Sequence, residues 1–159
     1  MKVNRLPHTP TSDRCVSLVS DLGRGVGWAA ISGWLALRDG GHSRRVALRS
    51  TAAMLVANGV AQGPMKRFFA RKRPFHSVLD HVVVGTRTLD TSFPSGHTAS
   101  SFAAATSLAV AYPPCTPIFL ALASGVGFSR VYLGHHYPSD VAGGLVVGVA
   151  VGTLASFVR

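Results

Sequence analysis

The chain has no glutamate, and its acidic residues are six aspartates set singly between Asp13 and Asp140. That scarcity removes the carboxylate cluster that a Mg²⁺ or two-metal hydrolase would need. Its two cysteines, Cys15 and Cys115, have neither CxxC nor Cys/His spacing, so no thiolate metal module is written in the chain. Charge of any sign is sparse: 14% of the 159 residues, against about 25% in an ordinary soluble domain. No Asp, Glu, Lys or Arg occurs from Thr98 to Ser129, or again from Val141 to Val158. No secretory leader is expected either. Lys2, Arg5 and Arg14 are interrupted by Pro7 and Pro10, and no compact apolar segment follows them.

What the chain does have is apolar residues, 47% of the total, gathered into long runs. Uncharged stretches of about 20 residues are long enough to cross a bilayer of about 30 Å as helix. A chain this short has too few polar helices to cover so many apolar ones in water. The reading is an all-α, integral-membrane bundle forming one domain over residues 1–159, with a polar N-terminal segment at 1–15. The net charge is +10, but the basic residues gather in short segments between the apolar runs. They do not form a stripe interleaved with aromatics, so the expected partners are the lipid bilayer and a phosphate-bearing lipid, and no nucleic acid.

Five spans are expected: Val16–Leu37, Val46–Met65, His97–Tyr112, Ile118–Leu133 and Pro138–Val158. Asp21 and Arg24 interrupt the first, three residues apart and able to pair at the membrane surface. Gly144, Gly148 and Gly152 repeat a small-xxx-small spacing that brings helix backbones close. Whether that contact lies inside the bundle or joins two copies in a homo-oligomer is open at this level. Five spans put the N-terminus, the 66–94 connection and the segment around Arg130–Pro138 on one side of the membrane. Cys15 and Cys115 then fall on opposite sides.

Three polar clusters sit on that first side. In the first, Lys66 and Arg73 are seven residues apart, about two helical turns. They would share a face if the helix ran on, which Pro74 discourages. Two fixed cations suit a phosphate dianion, although this cluster alone reads more readily as a basic collar on anionic lipid. The second is Pro94-Ser95-Gly96-His97, a turn opening a helix. It offers free backbone N–H groups, a hydroxyl at Ser95, close approach at Gly96, and a histidine able to protonate a leaving oxygen. The third holds Arg130, which ends the uncharged stretch that includes Thr98 to Ser129, and His136 with Asp140 four residues on. That spacing lets a carboxylate hold one ring nitrogen and leave the other to act as nucleophile. His135 falls outside this spacing and reads as an interface residue.

Together the clusters resemble the signature of the type 2 phosphatidic acid phosphatase (PAP2) family, as Lys66-x6-Arg73-Pro74, Pro94-Ser95-Gly96-His97 and Ser129-Arg130-x5-His136-x3-Asp140. All eleven fixed positions match in order. The resemblance implies a helical core shared with vanadium haloperoxidases and a phosphatase needing no metal or other cofactor. Lys66, Arg73, Ser95, Gly96 and Arg130 would bind the phosphate. His136 would attack phosphorus as nucleophile, Asp140 would orient it, and His97 would be the general acid. The alternative from another class is a lipid-phosphate or anion-binding membrane protein without catalysis.

The family acts on several lipid phosphates. The small extramembrane bulk favours a lipid arriving sideways. A polyprenyl-linked phosphoribose leads the candidate substrates, ahead of undecaprenyl diphosphate and glycerophospholipid phosphates. Apart from the motif cations, the active side carries Lys2, Arg5, Arg14, Arg67, Arg71, Lys72 and Arg87, against Arg38, Arg44, Arg45, Arg49 and Arg159 opposite. The balance leans toward a cytoplasmic site in the cell membrane.

Overall fold

The computed structural model describes residues 3–38, 40–77, 82–87 and 89–158. Lys2 and Arg159, counted above for sidedness, lie outside the described residues. All regular structure among the described residues is helical.

The expected first span is two helices. Helix α1 (Pro10–Leu22) starts from a Thr9/Ser12 capping box, and α2 runs Val26–Arg38. Between them Gly25 takes φ +98°, a left-handed conformation open to glycine, and the chain turns. Gly23 is needed for a different reason. A Cβ there would lie 2.6 Å from Val126 Cγ1 and 3.0 Å from His97 Cβ, so the elbow is pressed into the bundle. The Asp21–Arg24 pair does form, at 3.1 Å on the exposed side of the elbow. The cause of the break is thus the glycine pair flanking Arg24, and α2 alone continues the apolar part of the span.

Helix α3 (Gly41–Val60) contains most of the expected second span and runs on through a π-turn (Ala61–Met65) into α4 (Lys66–Phe69). Pro64 lies inside that turn, where its missing N–H disturbs the regular ladder. Ala70 then adopts φ 43° and ends the helix, four residues before Pro74. Helix α5 (Gly96–Ala111) agrees closely with the third span, α6 (Thr116–Tyr132) follows the Pro113–Cys115 turn, and α7 spans Pro138–Phe157.

Helix α5 is the axis of the bundle, with α3, α6 and α7 packed around it. Its Ala99, Ala103, Ala104 and Ala105 are fully buried. On α7 the glycine ridge faces it. A Cβ on Gly144, Gly148 or Gly152 would fall 2.5, 2.5 and 2.6 Å from the carbonyl oxygens of Ser95, Ala99 and Ala103. The small-xxx-small repeat is therefore spent on an internal contact. The outer surface is inverted relative to a soluble protein, with Leu48, Leu55, Val56, Val146 and Leu154 all exposed. Two helical segments, Pro113–Tyr132 and Pro138–Phe157, are each long and apolar enough to cross a membrane. Helix α2 has 13 residues, about 20 Å at 1.5 Å per residue, short of the hydrocarbon thickness.

Candidate active site

The three clusters meet at one end of the bundle, where α4 stops, α5 and α7 begin and α6 ends. The N-terminal segment closes over this end: Asn4 Nδ2 donates to the carbonyls of Tyr132 (3.0 Å) and Val82 (2.8 Å).

Lys66 and Arg73 do not share a helix face, because the helix ends at Phe69. They converge through the loop on one carboxylate. Lys66 Nζ pairs with Asp90 Oδ2, while Arg73 Nη2 reaches Asp90 Oδ1 at 2.7 Å and its Nε reaches the Asp90 carbonyl at 3.0 Å. Arg73 Nη1 also donates to the His135 carbonyl at 2.9 Å, tying the first cluster to the third. Both cations are buried. Arg130, in the last turn of α6, donates from Nη1 to Ser20 Oγ at 2.7 Å. Its Nε is buried and has no hydrogen-bond partner among the described residues. Buried guanidinium donors without a full set of partners favour an anion with several oxygens.

Ser95 is the N-cap of α5. Its Oγ accepts from Thr98 N (3.5 Å) and Thr98 Oγ1 (2.9 Å), and its N–H donates to the Asp140 carbonyl at 2.9 Å. That last bond fixes the start of α5 to the start of α7. Gly96 opens α5, and His97, one residue on, is half-buried. His97 lines a cavity of about 210 Å³ with Arg130, His135, Ser20, Arg24 and Gly85 among its walls.

His136 lies in the connection before α7 and is 2% exposed. Its Nδ1 donates to the Ser92 carbonyl at 2.8 Å. The expected partner, Asp140 Oδ2, is 3.6 Å away, too far to accept that N–H at normal length. It is near enough to favour positive charge on the ring. Asp140 is held elsewhere: Oδ2 accepts Tyr137 N–H at 2.8 Å, and Oδ1 accepts Arg71 Nη1 at 2.9 Å. The orienting task expected of Asp140 thus falls mainly to a backbone carbonyl, which fixes the tautomer and leaves Nε2 as the free lone pair. Burial pushes the His136 pKa down to about 4; Asp140 opposes this, and Arg73 and Arg130 add to it. The ring is neutral at physiological pH.

His135 corrects a second expectation. It is 6% exposed and lines the cavity beside His97 and Arg130, so it is no interface residue. Its Nε2 is 3.0 Å from the Val84 carbonyl, and its buried Nδ1 has no partner among the described residues. Burial and then Arg130 push its pKa down to about 4. Four other participants carry no motif signal: Ser20, Arg71, Asp90 and the Ser92 carbonyl. Arg71 also stacks on the Tyr137 ring, 4.2 Å from its centroid, and donates to Ser139 Oγ at 2.7 Å. A hint of Arg71 exists in the basic run 71–73, but nothing in that run separates it from Lys72.

The family model described as the PAP2 superfamily matches residues 47–158. A decaprenylphosphoryl-5-phosphoribose phosphatase from Mycobacterium tuberculosis is 37% identical over 135 residues, covering 84% of this chain and 72% of that protein. Among solved structures, LpxE from Aquifex aeolicus superposes with a TM-score of 0.76 at 26% identity, over 96% of this chain and 89% of that one. A transmembrane PAP2-type phosphatidylglycerolphosphate phosphatase from Bacillus subtilis shares the fold, with a TM-score of 0.70 at 23% identity over 97% and 79% of the two chains.

Proposed function

The chain belongs to the PAP2 superfamily, and from that premise we propose how this membrane phosphatase works on a lipid phosphate ester: through a phosphohistidine on His136. The observation that carries the mechanism is the buried, neutral His136, its Nδ1 held by Ser92 and its Nε2 free beside Arg73 and Arg130. In the first step Nε2 attacks phosphorus, the ester P–O bond breaks, and His97 gives its proton to the leaving alkoxide. In the second, water attacks the phosphohistidine and His97 takes the water's proton. Inorganic phosphate leaves and His136 is restored. Lys66, Arg73 and Arg130, with Ser95 and the N–H groups opening α5, bind the phosphoryl oxygens, so fixed cations and a helix dipole stabilise the transition state. Asp140 stabilises the charge that His136 gains. No metal enters these steps.

Orthovanadate, which adopts the five-coordinate geometry of that transition state, is expected to inhibit competitively with lipid substrate in phosphate-release kinetics. Insensitivity to vanadate contradicts the phosphohistidine route.

The leading substrate is a polyprenyl-linked phosphoribose, supported by the relative that covers most of the chain. The site faces the cytoplasm, supported by the excess of basic residues on its side. Cys15 lies near the site end of α6, against Phe128 and Ser129, and Cys115 lies at the other end. In intact cells a membrane-impermeant maleimide is expected to label Cys115 in the Cys15→Ser variant and to spare Cys15 in the Cys115→Ser variant. The reverse pattern places the site outside.

A further inference from the structure

A second cavity, of about 240 Å³, opens on the other side of His97 between the α1–α2 elbow and α3. Arg24, Met54, Asn58, Gln62, His97 and Ser100 line it. His97 and Arg24 also line the cavity that holds Arg130 and His135, so they form the wall between the two. The phosphate-binding cation Arg130 is confined to one side of that wall. A proton delivered by His97 therefore reaches an oxygen whose substituent lies on the other.

That other side is polar where lipid chains would ask for hydrocarbon. Asn58 and Gln62 are exposed and sit one helical turn apart at the end of α3, on a surface that otherwise presents Leu55 and Val56. Their amide heads come together over Gly96. A Cβ on Gly96 would lie 2.8 Å from Gln62 Nε2 and 3.2 Å from Asn58 Oδ1. Neither side-chain amide has a hydrogen-bond partner among the described residues. Gln62 stands on the π-turn Ala61–Met65, a local irregularity of the kind that gathers at functional sites. Two exposed amides side by side on an otherwise apolar face form a polar patch open to a ligand. Each amide offers both donors and acceptors, which matches hydroxyl groups and mismatches an acyl chain.

We infer that this cleft receives the leaving group and that Asn58 and Gln62 read its hydroxyls. The preferred substrate is then a lipid phosphate esterified to a hydroxyl-bearing moiety, a sugar or a polyol. The inference rests on the phosphatase reading above, with His97 as the acid. An acyl-bearing leaving group would leave both amides unpaired, and a site built for hydroxyls discriminates against an analogue without them.

The test is kcat/KM for phosphate release by the detergent-purified chain. Three lipids differ in their leaving group: a polyprenyl-linked phosphoribose, phosphatidylglycerophosphate, and phosphatidic acid, whose leaving diacylglycerol has no further hydroxyl. Wild type is expected to prefer the first two. Gln62→Leu is expected to lower the ratio of phosphoribose lipid to phosphatidic acid by about tenfold, the size of one lost neutral hydrogen bond, and Asn58→Leu/Gln62→Leu by more. Thermal unfolding of each variant checks that the fold is kept, and both positions are exposed. An unchanged ratio, or a wild type that prefers phosphatidic acid, overturns the inference while the phosphatase reading stands. No phosphate from any of the three overturns that reading and this inference with it.

Discussion

His135 and His136 are adjacent and both buried, yet each ring is held by a different carbonyl, Val84 for one and Ser92 for the other. Both pKa values are pushed down to about 4, so the folded protein keeps both rings neutral while an unfolded chain protonates them near pH 6.5. Between those limits the unfolded state binds more protons. Stability is then full above about pH 6.5 and falls as pH drops toward 4, by about 1.4 kcal/mol per pH unit per histidine. Thermal unfolding in detergent is expected to show a falling midpoint from pH 6.5 to 5, with a shallower slope in His135→Asn. A flat profile, or an unchanged slope in the variant, contradicts that burial. At this scale the sequence was informative for the motif side chains, since Lys66, Arg73, Arg130 and His136 all reach one end of the bundle. It missed Ser20, Arg71 and Asp90, which lie outside the motifs. It was silent on Ser92, whose contribution is a carbonyl that every residue possesses. It misjudged His135 because a spacing rule assigns the nucleophile but says nothing of its neighbour's burial.

Helix α7 shows what the small residues are for. Its N–H and C=O groups are satisfied internally, so its seat on α5 depends on backbone approach at Gly144, Gly148 and Gly152. Gly148→Ala would set a methyl 2.5 Å from the Ala99 carbonyl and 2.7 Å from Phe102 Cβ, forcing the helices apart. A loss of about 1–3 kcal/mol is expected, read as a lower unfolding midpoint. Gly33→Ala on α2, whose added Cβ meets nothing within 4 Å, is the control and is expected to hold or raise the midpoint. Equal midpoints for the two variants would contradict the glycine seat. The Ser95 N–H to Asp140 carbonyl bond crosses the same interface, so separating these helices also displaces the catalytic end. Helices α5, α6 and α7 were legible because long uncharged runs end at Pro, Ser and Arg signals. The α1–α2 elbow was legible only in part: Asp21 and Arg24 mark the interruption, and the apolar part beyond it is α2, but the turn itself was hidden. An apolar count passes smoothly over Gly23 and Gly25, whereas the structure places one against His97 and the other at φ +98°. The π-turn was equally hidden, since Pro64 alone does not say whether a helix kinks, ends or adds a residue.

At the scale of the molecule, the six longer helices among the described residues place cations, histidines and helix N-termini at one end and leave the opposite end to turns. Buried cations at that end are balanced only in part: Asp90 serves both Lys66 and Arg73, while Arg130 has a hydroxyl partner and a free Nε. On the mechanism proposed above, a bound phosphoryl group completes this charge balance and the neutral His136 takes it up. The most direct measurement uses detergent-purified chain in excess EDTA, with a polyprenyl-linked phosphoribose radiolabelled in its terminal phosphate. Released phosphate is followed, and protein-bound label is quenched in single-turnover samples. The expected result is release by wild type, with a transient acid-labile, base-stable label on His136 and neither release nor label in His136→Ala. Turnover that EDTA abolishes, or that persists in His136→Ala, would contradict the account.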